Sequence, residues 1–268
     1  MSAAVTPSAA ASVPNETWLR LRRYAPPLLI VVLWQLGASL GLIPTRTLAS
    51  PAMIATTFAE LIASGELPRH LLVSLGRVAA GLAIGITVGT TLALISGLSR
   101  RGEDLLDATL QMLRTLPFLA LVPLFILWFG IGETPKIALV ALGTTFPIYL
   151  MLFAGIRGVD AKLVEAGNTL GLNRREQVRH IVLPGALPSA LVGLRYALGV
   201  AWLSLVVAEQ INAESGIGYL VMTARDFLRT DIILVGLIVY AILGLSADQI
   251  VRLLERRVLA WRPSFLKD

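Results

Sequence analysis

The chain has 268 residues, of which 56% are hydrophobic and 15% charged, and its mean hydropathy is +0.76. A soluble domain carries roughly a quarter charged residues, so this composition excludes one and points to a helical membrane domain, in which each span takes about 20 apolar residues. With no cysteine, only His70 and His180 as histidines, and a net charge of +6, disulfide scaffolds, thiol chemistry and Cys- or His-based metal sites drop out, and neither metal nor cofactor is expected.

Residues 1–24 read as a disordered tail rich in Ala, Ser, Thr and Pro, followed by a basic flank with Arg20, Arg22 and Arg23. Residues 25–268 read as one all-α, polytopic domain. Its apolar runs are 25–43, 71–98, 116–131, 137–156, 190–211 and 232–250, which predicts six transmembrane helices. The first run is too long for the core of a cleaved signal peptide and is read as an uncleaved span.

Lys and Arg give the orientation. With the N-terminus inside, only Arg46, Arg69, Lys136, Arg225 and Arg229 fall outside, and Arg77 and Arg195 fall within spans. The remaining basic residues, Arg114 among them, lie inside, which places both termini in the cytoplasm. Because they are spread over four inner segments, they do not form a nucleic-acid surface.

Within the spans, Gly81, Gly85, Gly89, Ala93 and Gly97 recur every four residues. This spacing allows close helix packing, within the chain or, as the weaker alternative, between two copies. Pro117 and Pro123 are expected to kink the third span, either statically or as part of a discontinuous helix lining the pathway. Trp34, Trp128 and Trp202 read as lipid or interface anchors. Arg77, six residues into the second span, can contact an anionic substrate, snorkel to the outer surface, or pair with a carboxylate such as Glu209. Arg195 is expected to snorkel at the inner end of the fifth span. Ser215, Gly216 and Gly218 form either a turn at an outer gate or an ordinary loop.

The inner segment 158–189 is long for a chain with otherwise short connections, and long connections are often functional. Asp160 is a helix N-cap, Gly171 a helix stop, and Leu163, Ala166, Gly167 and Leu170 share one face of the helix between them. The small centre of that face lets a partner approach. Asn173 with Glu176 forms a capping box for a second helix, which Leu183, Pro184 and Gly185 end. On these residues alone, a helical hairpin that merely covers the spans is an equal reading.

Glu165-Ala166-Gly167, three residues, Gly171, nine residues, Ile181, one residue and Leu183-Pro184 resemble the cytoplasmic-loop motif of ATP-binding-cassette importer permeases. The family pattern has Ala where this chain has Gly167. The segments 97–107, 121–133, 212–231 and 253–263 look like the nitrate, sulfonate and taurine branch, and 181–209 resembles its aliphatic sulfonate permeases. The resemblance implies a multi-pass subunit of a bacterial inner membrane that imports a small organic anion, aliphatic sulfonates first, with taurine, nitrate or another small anion as alternatives. It also implies a second permease copy in a homodimer, two ATP-binding subunits docked on the inner loop, and a periplasmic substrate-binding protein. The chain is then no enzyme. None of Lys136, Lys162 and Lys267 follows a glycine, so there is no P-loop and ATP is hydrolysed by a partner. A secondary transporter working alone is the reading from another class, and no midplane carboxylate supports it.

Overall fold

The computed structural model describes residues 16–261. Among these every element is helical. In chain order they are α1 (Glu16–Ser39), α2 (Pro51–Ala63), α3 (Glu66–Leu98), α4 (Arg100–Thr115), a 3₁₀ turn (Phe118–Leu121), α5 (Val122–Phe129), α6 (Glu133–Arg157), α7 (Ala161–Thr169), α8 (Arg174–Gln177), a π segment (Val178–Val182), α9 (Leu183–Asn212), α10 (Ile217–Asp226) and α11 (Thr230–Val258). The expected tail 1–15 lies outside the described residues. The basic flank is helical, since α1 begins at Glu16.

Four helices are long and apolar enough to cross a membrane: α3, α6, the continuous Arg174–Ile211 and α11. The pair α4 and Phe118–Phe129, bent by 83°, is a broken span or a re-entrant loop, and as a span it makes a fifth. The first expected span is the weakest, because the apolar part of α1, Ala25–Ser39, falls short of the length that a perpendicular crossing takes.

The centre of the fold is α6, packed between α3 and α9. The glycine stripe of α3 explains how close the first of these contacts is. A Cβ on Gly81 would stand 2.6 Å from the Val140 Cβ, and one on Gly89 would stand 2.7 Å from the Thr145 carbonyl oxygen. Ala93 completes the stripe, fully buried with Tyr149, Leu152 and Ile156. The stripe therefore serves packing within the chain.

Three expectations are decided here. Pro117 lies in the non-helical break between α4 and the 3₁₀ turn, and Pro123 sits in the first turn of α5, where its missing N–H costs nothing. The third span is thus discontinuous, the second of the two forms expected for it, and not one kinked helix. Leu183, Pro184 and Gly185 do not end the second loop helix. Pro184 cannot donate to the carbonyl four residues back, but the chain widens into the π segment, where the Leu183 N–H reaches the Val178 carbonyl, and the helix continues into the membrane. Of the three tryptophans, only Trp128 is exposed; the indole N–H groups of Trp34 and Trp202 are buried.

Candidate functional site

Two clusters of sequence-predicted residues lie at opposite ends of the helices. At one end is the loop carrying α7. The Asp160 carboxylate accepts from the Lys162 N–H at 2.9 Å and starts the helix. At the other end of α7, the Leu172 N–H donates to the Gly167 carbonyl at 2.9 Å and the Gly171 N–H to that of Asn168 at 3.0 Å. This pair of bonds is a Schellman motif, and it holds Gly171 at φ +78°. No atom lies within 4 Å of where a Gly171 Cβ would stand, so glycine is needed for its backbone conformation alone.

Asn173 caps α8, its Oδ1 accepting from Arg175 and Glu176 N–H at 3.0 and 3.1 Å while the Glu176 carboxylate accepts from the Asn173 N–H at 2.8 Å. The loop is anchored to its neighbours by Arg174, which donates to the Leu98 carbonyl at 2.9 Å, and by the nearby Arg157–Glu103 ion pair.

The apolar face expected on α7 is divided. Gly167 is buried against Ile181, whose Cδ1 would lie 2.7 Å from a Cβ at that position. The small residue therefore seats α7 on the chain's own helix rather than admitting a partner. Leu163, Glu165, Ala166 and Leu170 face away and are exposed, Leu170 by 81%. Ile181 and Pro184 are half-buried beneath α7, with Leu183 beside them more exposed.

At the opposite end, Arg77 on α3 is 3% exposed and uses all five of its N–H groups. Nε and Nη2 donate to the Glu133 carboxylate at 2.5 and 2.7 Å. Nη1 donates to Glu209 Oε1 at 2.7 Å and to the Ser215 carbonyl at 2.6 Å, and Nη2 also reaches Ser215 Oγ at 3.3 Å. Glu209 is itself buried and accepts from the Ser74 hydroxyl at 2.8 Å and the Gly218 N–H at 2.8 Å. Ser74 Oγ accepts from the Ile217 N–H at 2.9 Å, and His70 Nδ1 from the Gly216 N–H at 3.0 Å.

The segment 215–218 thus lies directly on α3 and α9. At Gly216, with φ +113°, any Cβ would collide with the Glu209 carboxylate. Lys136 donates to Glu133 Oε1 at 3.3 Å, so two cations balance two carboxylates. The cluster has neither net charge nor a spare Arg77 donor for an anion. Arg77 takes the pairing arrangement, and its second partner, Glu133, is one that sequence reading missed. On the same face, Arg229 pairs with Asp231, whose hydrogen bond raises the guanidinium pKa, and Thr57 of α2 donates to that carboxylate at 2.8 Å.

Residues 81–260 match the family model described as binding-protein-dependent transport system inner membrane component. The chain belongs to this family. It is accordingly a multi-pass inner-membrane permease, a component of a transport system.

The permease is 52% identical to an aliphatic sulfonates transport permease protein of Escherichia coli K12, over 95% of this chain and 97% of that one. It is 48% identical to a Bacillus subtilis protein of the same description, covering 89% and 87%. To the taurine transport system permease protein of Escherichia coli K12 it is 35% identical, covering 87% and 86%. Its fold matches the crystal structure of an amino acid ABC transporter at TM-score 0.61 and 19% identity, covering 76% of this chain and 96% of that one. An inward-facing methionine ABC transporter gives 0.54 at 18%, covering 67% and 91%.

Two further arginines of the permease are placed differently from expectation. Arg195 does not snorkel but pairs with Asp248 and Glu255 of α11, at 3.1 and 3.0 Å. Arg114, expected in an inner loop, is at the end of α4 and lines a cleft with Phe146 and Leu150 from the middle of α6. Pro117 and Pro123 are both exposed and do not join the Arg77 cluster.

Proposed function

We propose that this permease carries aliphatic sulfonates across the inner membrane in an ATP-driven importer. The observation that carries the substrate is the 52% and 48% identity, over most of the chain, to two aliphatic sulfonates permeases of distant bacteria, against 35% to the taurine permease. In this reading the α7 end faces the cytoplasm, with both termini, as the distribution of Lys and Arg supports. Two ATP-binding subunits dock on the exposed side of α7, on Leu163, Glu165, Ala166 and Leu170. Gly167, Gly171, Ile181, Leu183 and Pro184 give that surface its shape. A second copy completes the pathway, and a periplasmic binding protein delivers substrate to the opposite face. There the Arg77 cluster, with Ser215, Gly216 and Gly218, closes the outer end. ATP is hydrolysed on the partner subunits.

Growth tests the assignment. A strain deleted for the chain should fail to use ethanesulfonate as sole sulfur source, and plasmid-borne chain should restore it. Restoration on taurine alone, with none on ethanesulfonate, would move the substrate to the taurine class.

A further inference from the structure

The break between α4 and α5 leaves an opening of about 320 Å³ lined by Arg114, Phe118, Phe146, Leu150, Tyr196 and Val200. Its depth follows from α6. Phe146 stands 13 residues after Glu133 and 11 before Arg157, so at 1.5 Å per residue it is about 20 Å from one helix end and about 17 Å from the other. The cleft is therefore near the middle of the spans. Exposed non-helical backbone at that depth is tolerated only against protein or water. Leu116 and Pro117 are both exposed and non-helical, which means this side of the chain faces an aqueous path or another subunit rather than lipid.

Arg77, Arg157 and Arg195 are each paired with one or two carboxylates. Among the described residues, Arg114 forms neither an ion pair nor a hydrogen bond, although it is exposed. Among the described residues Arg69, Arg100 and Arg101 make no side-chain pair either, but they lie at the start of α3 and the start of α4, whereas Arg114 stands at the level of Phe146. Its place in the last turn of α4 favours a cation, but a helix terminus does not satisfy five N–H donors. The rest of the lining is apolar and aromatic, with Tyr196 60% exposed. The cleft thus combines one exposed planar cation, unpaired among the described residues, with apolar walls, in a volume suited to a small ligand.

We infer that this cleft is a midplane substrate site in which Arg114 holds the sulfonate head group and Phe118, Phe146 and Leu150 take the alkyl tail. A sulfonate is a permanent anion whose oxygens match the donor fork of a guanidinium. The inference rests on the sulfonate reading above, and it adds a specificity element within the membrane to whatever the binding protein selects.

The test uses the assembled importer in proteoliposomes. The chain has no cysteine, so Tyr196→Cys places a single thiol of this subunit in the cleft, and intact mass of the subunit reads its modification. A sulfonatoethyl methanethiosulfonate should react on the order of tenfold faster than the trimethylammonium-ethyl analogue, as expected when a cation attracts an anion in a confined cleft. Arg114→Gln in the same background should erase the preference, and Arg114→Lys should retain part of it. With the native Tyr196, Arg114→Gln should lower ethanesulfonate uptake about tenfold at matched membrane level, by loss of a charge-assisted contact. Equal rates for the two reagents, or a preference that survives Arg114→Gln, would overturn the site and leave Arg114 as a residue packed against another subunit. If the unmodified importer takes up no alkanesulfonate, the proposed function fails instead. The labelling comparison separates the two outcomes, because it does not depend on transport.

Discussion

Gly171 needs glycine only for its φ of +78°. A β-branched side chain in that conformation costs about 1–2 kcal/mol, small against the packing of the helices but enough to tilt α7. Gly171→Val should therefore insert normally yet lose co-purification of the ATP-binding subunits or substrate-stimulated ATP hydrolysis, while Gly171→Asn keeps both, since Asn tolerates the left-handed region. Wild-type uptake by the Val variant would reduce the loop to a structural cover. At Arg77 the expected effect is on stability. Arg77→Met leaves Glu209 buried without its cation, a loss of about 3–5 kcal/mol, seen as a lower melting temperature of the purified complex. Arg77→Met with Glu209→Leu should recover much of that loss, because removing both charges removes the uncompensated one. Local spacing made part of this legible. The Asp160, Gly171 and Asn173 caps depend on neighbours a few residues away and could be read directly. The pairing of Arg77 with Glu209 could be named as an alternative. Glu133 could not, because its meeting with Arg77 depends on where α5 turns back into α6.

Among the elements, sequence and structure agree where apolar runs are long and disagree where proline intervenes. Hydropathy located α3, α6, α9 and α11, and the glycine stripe of α3 was legible as packing within the chain because its period matches a single helix face. Gly85 is the severest test of that packing, since any Cβ there would overlap Thr144. Gly85→Leu should force α3 from α6 and remove the protein from the membrane fraction, whereas Gly76→Leu, with open space around it, should leave the level unchanged. At the third span a static kink and a discontinuous helix were equal readings, because proline has more than one role. Pro117 breaks a helix, Pro123 begins one, and Pro184 is absorbed by a π turn. Each outcome depends on tertiary packing that proline alone does not report. Because the third apolar run starts at residue 116, Arg114 was counted with an inner segment, although it sits in α4 at the level of Phe146 and Tyr196.

At the scale of the whole molecule, orientation and energy coupling remain the two properties to measure. The family model establishes a transport-system component, and the absence of a P-loop in the sequence predicts that purified permease alone hydrolyses no ATP above background, with activity appearing only once the ATP-binding subunits are added. The distribution of Lys and Arg predicts the orientation, and the helices determine where a label reports it cleanly. Ser215 is unsuitable, because both its carbonyl and its hydroxyl accept from Arg77 and replacing it would disturb the cluster being probed. Glu214, next to it, is exposed at the same end of the bundle, and Arg175 is exposed on α8 at the other. In a chain without native cysteine, Glu214→Cys in intact spheroplasts should react with a membrane-impermeant maleimide, and Arg175→Cys should react only after the membrane is opened. The reverse pattern would place α7 outside, where no ATP-binding subunit could reach it, and would refute the docking role of Leu163, Ala166 and Leu170 together with the cytoplasmic termini.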